Sequence, residues 1–165
     1  TSSMSHILEV LEALRALGPD IGVIITGPNA DTEGRALKKA VIEFAEDLNT
    51  AIFCESMGQS LYLNALNQVD LVVGNSSSGL YEAPTFGIPT VNIGDRQKGR
   101  LQAASVLSCR PERGEILASI REALMRDCTG TVNPYGDGMA SPKIIAALED
   151  INDPQALLQK QFFNV

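Results

Sequence analysis

The chain has no tryptophan, a single histidine and only three cysteines, and aromatic residues make up 5% of its 165 positions. One histidine, His6, close to the start of the chain, leaves no His-rich metal set and no Ser-His-Asp or Cys-His pair. Cys54, Cys109 and Cys128 are odd in number and far apart, which fits reduced thiols in a cytoplasmic protein and not a disulfide framework. Positive charge is also scarce: 13 Lys and Arg against 20 Asp and Glu give a net charge of -7, which argues against a broad nucleic-acid-binding face. No apolar run is long enough for a membrane span and no signal peptide is evident, so no membrane partner is expected. What remains, at 44% hydrophobic and 20% charged, has ordinary globular composition and the length of one domain with a real core.

The informative stretch is DLVVGNSSSGLYEAPTFGIPTVNIGDRQKGR, Asp70 to Arg100. Leu71-Val72-Val73 suits a strand buried on both faces, and Gly74 ends it. Asn75-Ser76-Ser77-Ser78-Gly79 is a small, polar turn. Leu80 to Phe86 then predicts a short helix closed by Gly87, Pro89 to Ile93 a second strand, and Gly94 to Arg100 a polar loop carrying Arg96, Lys98 and Arg100. Hydroxyls and free backbone N–H groups at a helix N-terminus suit an anion, most often a phosphate.

Around this unit, apolar spacing predicts a helix from Ser5 to Leu17, stopped by Gly18-Pro19. Ile21 to Thr26 is a buried strand, followed by a Gly27-Asp31 loop and a helix capped by Asp31 or Thr32, with Leu37, Val41, Phe44, Ala45 and Leu48 on its inner face. Ala51 to Cys54 is a strand, Gln59 to Asn67 a helix, Ala104 to Ser108 a strand and Arg113 to Met125 a helix. Thr131 to Met139 is a Gly-rich loop, and a further helix begins at Pro142. Alternation of this kind implies parallel βαβ units in an open, Rossmann-like doubly wound sheet of about five or six strands. Ligands then bind at the C-terminal ends of the strands, where the loops at Gly27-Asn29, Glu55-Met57, Gly74-Gly79 and Gly94-Arg100 all fall.

Each candidate residue has a plain structural reading beside the functional one. One of Ser76, Ser77 and Ser78 caps the helix, or the three hydroxyls and the Gly79 amide cradle a phosphate. Glu82 sits in the first turn because the helix dipole favours it, or it accepts two hydrogen bonds from a ribose diol. Arg96 and Arg100 are solvated loop charges, or one contacts a diphosphate or holds Glu82. Tyr62 packs between helix and sheet, or places its ring on a base. Asn29 and Asp31 fit a turn and cap with no ligand. Neither GxxxxGK[ST] nor GxGxxG is present, which weakens ATPase and NAD-dehydrogenase readings.

Taken together, GNSSSGLYEAPTFGIPTVNIGDRQKGR, with ITGPNADTEG (Ile25 to Gly34) and NPYGDGMAS (Asn133 to Ser141), resembles the C-terminal half of UDP-N-acetylglucosamine 2-epimerases of the hydrolysing branch, which feeds sialic and legionaminic acid synthesis. The resemblance implies one α/β half of a two-domain GT-B fold, with the active site in the cleft between halves. It implies that Ser76 and Ser77 hold UDP phosphates, Glu82 the ribose, and that Arg96 supports the site. Asn29 would line the cleft, and Tyr62 and the backbone at Met57 would lie against uracil. UDP and a UDP-amino sugar are the implied ligands, with no nicotinamide cofactor or metal, and the full-length enzyme is expected to be a homo-oligomer. The family's catalytic carboxylates belong to its N-terminal domain, so none is assigned here and the chain alone is expected to be inactive. Other readings are a non-hydrolysing epimerase, a GT-B glycosyltransferase domain with the same UDP site, and a stand-alone nucleotide-binding module.

Overall fold

A computed structural model of the chain describes residues 3–28, 34–155 and 158. The chain divides into two compact units, Thr1–Pro134 and Tyr135–Val165. The first holds α1 (Ser3–Arg15), β1 (Val23–Thr26), α2 (Gly34–Asp47), β2 (Ala51–Cys54), α3 (Gly58–Leu66), β3 (Val72–Gly74), α4 (Ser78–Tyr81), a 3₁₀ turn (Ala83–Phe86), β4 (Thr90–Ile93), β5 (Val106–Cys109) and α5 (Arg113–Leu124). The second holds α6 (Ala140–Glu149), in which Asp137 accepts the Met139 N–H at 2.9 Å and pairs with Lys143 at 3.1 Å. Among the described residues no helix is long and apolar enough to cross a membrane.

All strand pairings are parallel, as the alternation of strands and helices requires. The expectation of one continuous sheet needs correction. Among the described residues β1 pairs only with β2, in register Val23↔Ala51, while β3, β4 and β5 form a separate sheet with Val72↔Thr90 and Thr90↔Val106. β4 is central in the larger sheet and every one of its residues is buried. Val91 and Ile93 are buried there together with the polar Thr90 and Asn92.

Two apolar clusters match the two sheets. One gathers Val91, Ile93, Leu107, Ile116, Ile120, Ala123 and Ala13. The other gathers Leu11, Phe44 and Ala51. Helix α1 contributes to both, through Ala13 and Leu11 on adjacent faces, and Leu14 packs against each. The seven-residue gap between α1 and β1 is turned at Gly18-Pro19 as the sequence predicts. At the start of α5 the Glu115 carboxylate accepts the Arg110 backbone N–H at 3.0 Å and its Nε at 2.8 Å, which holds Glu115 below the usual carboxylate range.

The Leu80–Phe86 helix divides. Pro84 has no N–H to continue an α-helix, so α4 is a single turn and a 3₁₀ turn follows it. Gly87, at φ +65°, closes that turn in the left-handed region. α4 is seated on β4 by Thr90, whose Oγ1 donates to the Gly79 carbonyl at 3.0 Å. A Cβ on Gly79 would stand 2.6 Å from Thr90 Cγ2. Gly79→Ala is therefore expected to cost about 1–3 kcal/mol in urea denaturation, the usual overpacking penalty. Thr90→Ser, which removes Cγ2 and keeps the hydroxyl, should recover most of that loss in the double variant.

Candidate functional site

The Ser loop leaves the C-terminal end of β3 and is held by its own Ser76 and by Tyr62 and Gln97 from other elements, while Asn133 braces the helix after it. Ser76 Oγ accepts the Ser78 N–H at 3.4 Å, closing a short serine turn. Ser78 Oγ shares a hydrogen bond with the Tyr62 hydroxyl on α3. Gln97, 2% exposed, donates from Nε2 to the Asn75 carbonyl at 2.7 Å. Asn133 Nδ2 donates to the Tyr81 carbonyl at 2.8 Å and Thr85 Oγ1 at 2.7 Å, joining the two halves of the broken helix. The loop is thus fixed before any ligand arrives.

Of the serines, only Ser76 reaches a helix-start N–H, that of Ser78, and the N-cap residue itself makes no cap. Ser77 occupies the N-cap position with helical dihedrals, φ −63° and ψ −21°, and its side chain makes no capping hydrogen bond. Its backbone carbonyl instead accepts the Leu80 and Tyr81 N–H groups at 3.0 and 2.9 Å. Ser76 and Ser78 serve the loop and Tyr62, so the Ser77 hydroxyl is not spent on the helix end. The anion argument from a helix dipole is also weakened, because α4 has only four residues and a single turn sums few peptide dipoles.

Glu82 is not in the first turn of a helix, as the sequence suggests. It is the C-cap of α4 and donates its N–H to the Ser78 carbonyl at 2.9 Å. It is also the N-cap residue of the 3₁₀ turn that follows, but its side chain makes no capping hydrogen bond there. Its Oε2 is buried and has no hydrogen-bond partner among the described residues. A buried carboxylate oxygen left unpaired is costly, and an unexplained one asks for a donor from a ligand.

Arg96 is exposed, and Glu82 Oε2 has no partner among the described residues; Arg96 lines a cleft with Asn75 and Ser76. Arg100 instead lies over the Tyr81 ring, 5.4 Å from its centre, a stacking role absent from the sequence reading. Met57 is the N-cap residue of α3, one turn before Tyr62. Gly79 is buried, and its lack of a side chain is required by Thr90 whatever else its amide does. Asn29 and Asp31 lie outside the described residues, as does the cap at Thr32. Ser76, Ser77, Gly79, Glu82 and Tyr62 are therefore gathered around one loop, Met57 is placed on the adjoining helix, and Arg96 flanks them from the loop after β4. Sequence reasoning missed Gln97; a lone uncharged side chain within the charged Asp95-Arg100 run was the available signal. Among the described residues no group of three His, Cys, Asp or Glu side chains could hold a metal ion.

With this arrangement in place, comparison with known proteins is informative. The family model for UDP-N-acetylglucosamine 2-epimerase matches residues 1–149. The chain belongs to the UDP-N-acetylglucosamine 2-epimerase family. It is 30% identical over 145 residues to the UDP-N,N'-diacetylbacillosamine 2-epimerase (hydrolyzing) of Legionella pneumophila, covering 88% of this chain and 38% of that protein. It is 29% identical over 161 residues to the polysialic acid biosynthesis protein P7 of Escherichia coli, covering 95% and 41%. Its fold matches the UDP-GlcNAc 2-epimerase of Methanocaldococcus jannaschii, solved with UDP-GlcNAc and UDP, at a TM-score of 0.73 and 14% identity over 89% of this chain and 41% of that one. The chain thus spans about two fifths of the length of these relatives.

Gln97→Leu is expected to release the Asn75 carbonyl and cost about 1 kcal/mol, the usual worth of one hydrogen bond, with faster amide exchange at Ser76–Ser78. The exposed neighbour change Lys98→Ala should stay within about 0.5 kcal/mol by the same denaturation measurement.

Proposed function

We propose that the chain is the UDP-binding half of a hydrolysing 2-epimerase that acts on UDP-N-acetylglucosamine or a UDP-diacetamido sugar. Ser76 and Ser77, with the Gly79 amide, hold the diphosphate, and Arg96 adds positive charge beside it. Glu82 accepts hydrogen bonds from both ribose hydroxyls. Tyr62, its ring orientation fixed by the hydroxyl bond to Ser78, lies against uracil with the backbone at Met57. The observation that carries the reading is the buried, unpaired Glu82 Oε2 four residues after the Ser78 carbonyl that fixes its backbone. A vicinal diol supplies two O–H donors and matches a carboxylate better than a single hydroxyl does. Family membership and the UDP complexes of proteins with this fold point the same way.

In the proposed reaction UDP departs from sugar C1 as the C2 proton is lost on the opposite face, giving a 2-acetamidoglucal. Water then adds at C1 and a proton returns to C2 on the other face, releasing the 2-epimeric free sugar. The residues named above bind and orient the leaving group. The acid–base carboxylates would come from the portion of a full-length enzyme outside the matched span, and that enzyme would be cytoplasmic and oligomeric, serving sialic- or legionaminic-type sugar synthesis. A glycosyltransferase would need the same UDP contacts, but the compared proteins are epimerases.

Calorimetric titration of the chain with UDP, UMP and uridine tests the site. UDP is expected to bind most tightly, and Ser77→Ala and Glu82→Gln each to weaken it about tenfold, the loss of one charge-assisted hydrogen bond. Uridine binding should fall with Glu82→Gln and be unchanged by Ser77→Ala. Unaltered UDP affinity in both variants would contradict the assignment, as would sugar release from UDP-N-acetylglucosamine by the chain alone.

A further inference from the structure

The helix break at Pro84 leaves a backbone group to be satisfied beside Glu82. In a 3₁₀ turn the Tyr81 carbonyl would take its hydrogen bond from residue 84, and in an α-helix from residue 85. Residue 84 is proline and has no N–H. Thr85 gives its N–H to the Glu82 carbonyl instead, at 3.0 Å. Neither helical donor therefore serves the peptide that joins Tyr81 to Glu82. Asn133, 52 residues away, takes that place. Its Nδ2 donates to the Tyr81 carbonyl at 2.8 Å and to Thr85 Oγ1 at 2.7 Å, so one amide group replaces the missing donor and spans the break.

The segment that carries Asn133 is itself fixed. Thr131 donates its N–H and its Oγ1 to the Cys128 carbonyl, at 3.1 and 2.7 Å, closing a turn at a buried cysteine. The same carbonyl lies against Gly87 at the end of the 3₁₀ turn, where a Cβ would stand 3.3 Å from it. Pro134 disfavours the helical region for Asn133, the residue before it. Residues 128–133 therefore meet the broken helix at both ends, near Gly87 and at Tyr81.

We propose that Asn133 is a positioning residue for Glu82, and through it a determinant of selectivity for ribonucleotides over 2′-deoxyribonucleotides. The inference rests on the reading of Glu82 as the ribose acceptor. Glu82 Oε2 is buried without a partner among the described residues, so no contact at that oxygen corrects a shift of the backbone. Without the Asn133 donor the Tyr81 carbonyl must find water, and the peptide that carries Glu82 turns with it. A displacement of about 1 Å is enough to spoil an aligned contact. The serines and the Gly79 amide precede this peptide and are held by Tyr62, Gln97 and Thr90, so they keep their places. Asn133 thus governs recognition of the sugar hydroxyls and not of the diphosphate.

The test compares calorimetric affinities of UDP and 2′-deoxyuridine 5′-diphosphate for the chain, Asn133→Ala and Asn133→Asp. The aspartate keeps the size of the side chain and loses both Nδ2 donors. The unaltered chain is expected to bind UDP about tenfold more tightly than the deoxynucleotide, the worth of one charge-assisted hydrogen bond. In both variants UDP affinity falls about tenfold, to that of the deoxynucleotide, whose own affinity stays within about twofold. Either substitution added to Glu82→Gln has no further effect on UDP. Equal weakening of both nucleotides, or a ribose preference that survives in both variants, overturns the proposal and leaves the UDP reading standing. Loss of folding in Asn133→Ala alone leaves the decision to Asn133→Asp, and loss of folding in both overturns the proposal. An unaltered chain that binds the two nucleotides equally, or neither, overturns the ribose reading of Glu82 and this inference with it.

Discussion

A buried threonine hydroxyl sets the geometry of the candidate site. Thr90 lies on the central strand of the larger sheet, 2% exposed, and its Oγ1 bonds the Gly79 carbonyl. Its methyl group stands where a side chain on residue 79 would be. Only glycine lets a one-turn helix come this close to the strand. Once α4 is seated, the Ser loop that precedes it and Glu82 that follows it have few positions left. Gln97 and Tyr62 then restrain the loop from either side. The site is preorganised by packing beneath it, which is the cheapest way to aim short side chains such as serine.

The same arrangement separates binding from chemistry. The residues around the loop are hydroxyls, backbone amides, one carboxylate and flanking guanidinium groups. In the proposed reading these recognise a diphosphate and a diol, and none is paired as an acid and a base. A net charge of -7 makes the local cluster of Arg96, Lys98 and Arg100 a directed feature, not part of a general basic face. The chain belongs to the 2-epimerase family and spans about two fifths of its relatives' length.

Much of this was legible from residue pattern. β2 is Ala51–Cys54 as read, and α5 differs from its expected range by one residue at its end. The Ser loop fell where Gly74 and the serines placed it. The broken helix was missed because apolar spacing from Leu80 to Phe86 outweighed Pro84, whose missing N–H decides the outcome. Glu82, read as part of a first turn, instead stands at the junction between α4 and the 3₁₀ turn. The interruption of the sheet could not be read, since Ile21–Thr26 has the same β-branched run whether one edge or both are paired. Gln97 was hidden in a charged loop, because its importance lies in a contact 22 residues away that spacing does not encode. The roles of Ser78 and Tyr62 were likewise masked, since a tyrosine among leucines reads as packing until its hydroxyl finds a partner.

The most direct measurement is an amide chemical-shift map recorded while UDP is added to the chain. The account predicts the largest changes at Ser76, Ser77, Gly79 and Glu82, with smaller ones at Met57 and Arg96. Shifts confined to residues away from the loop between β3 and β4, with Ser77 and Glu82 unmoved at saturation, would contradict it.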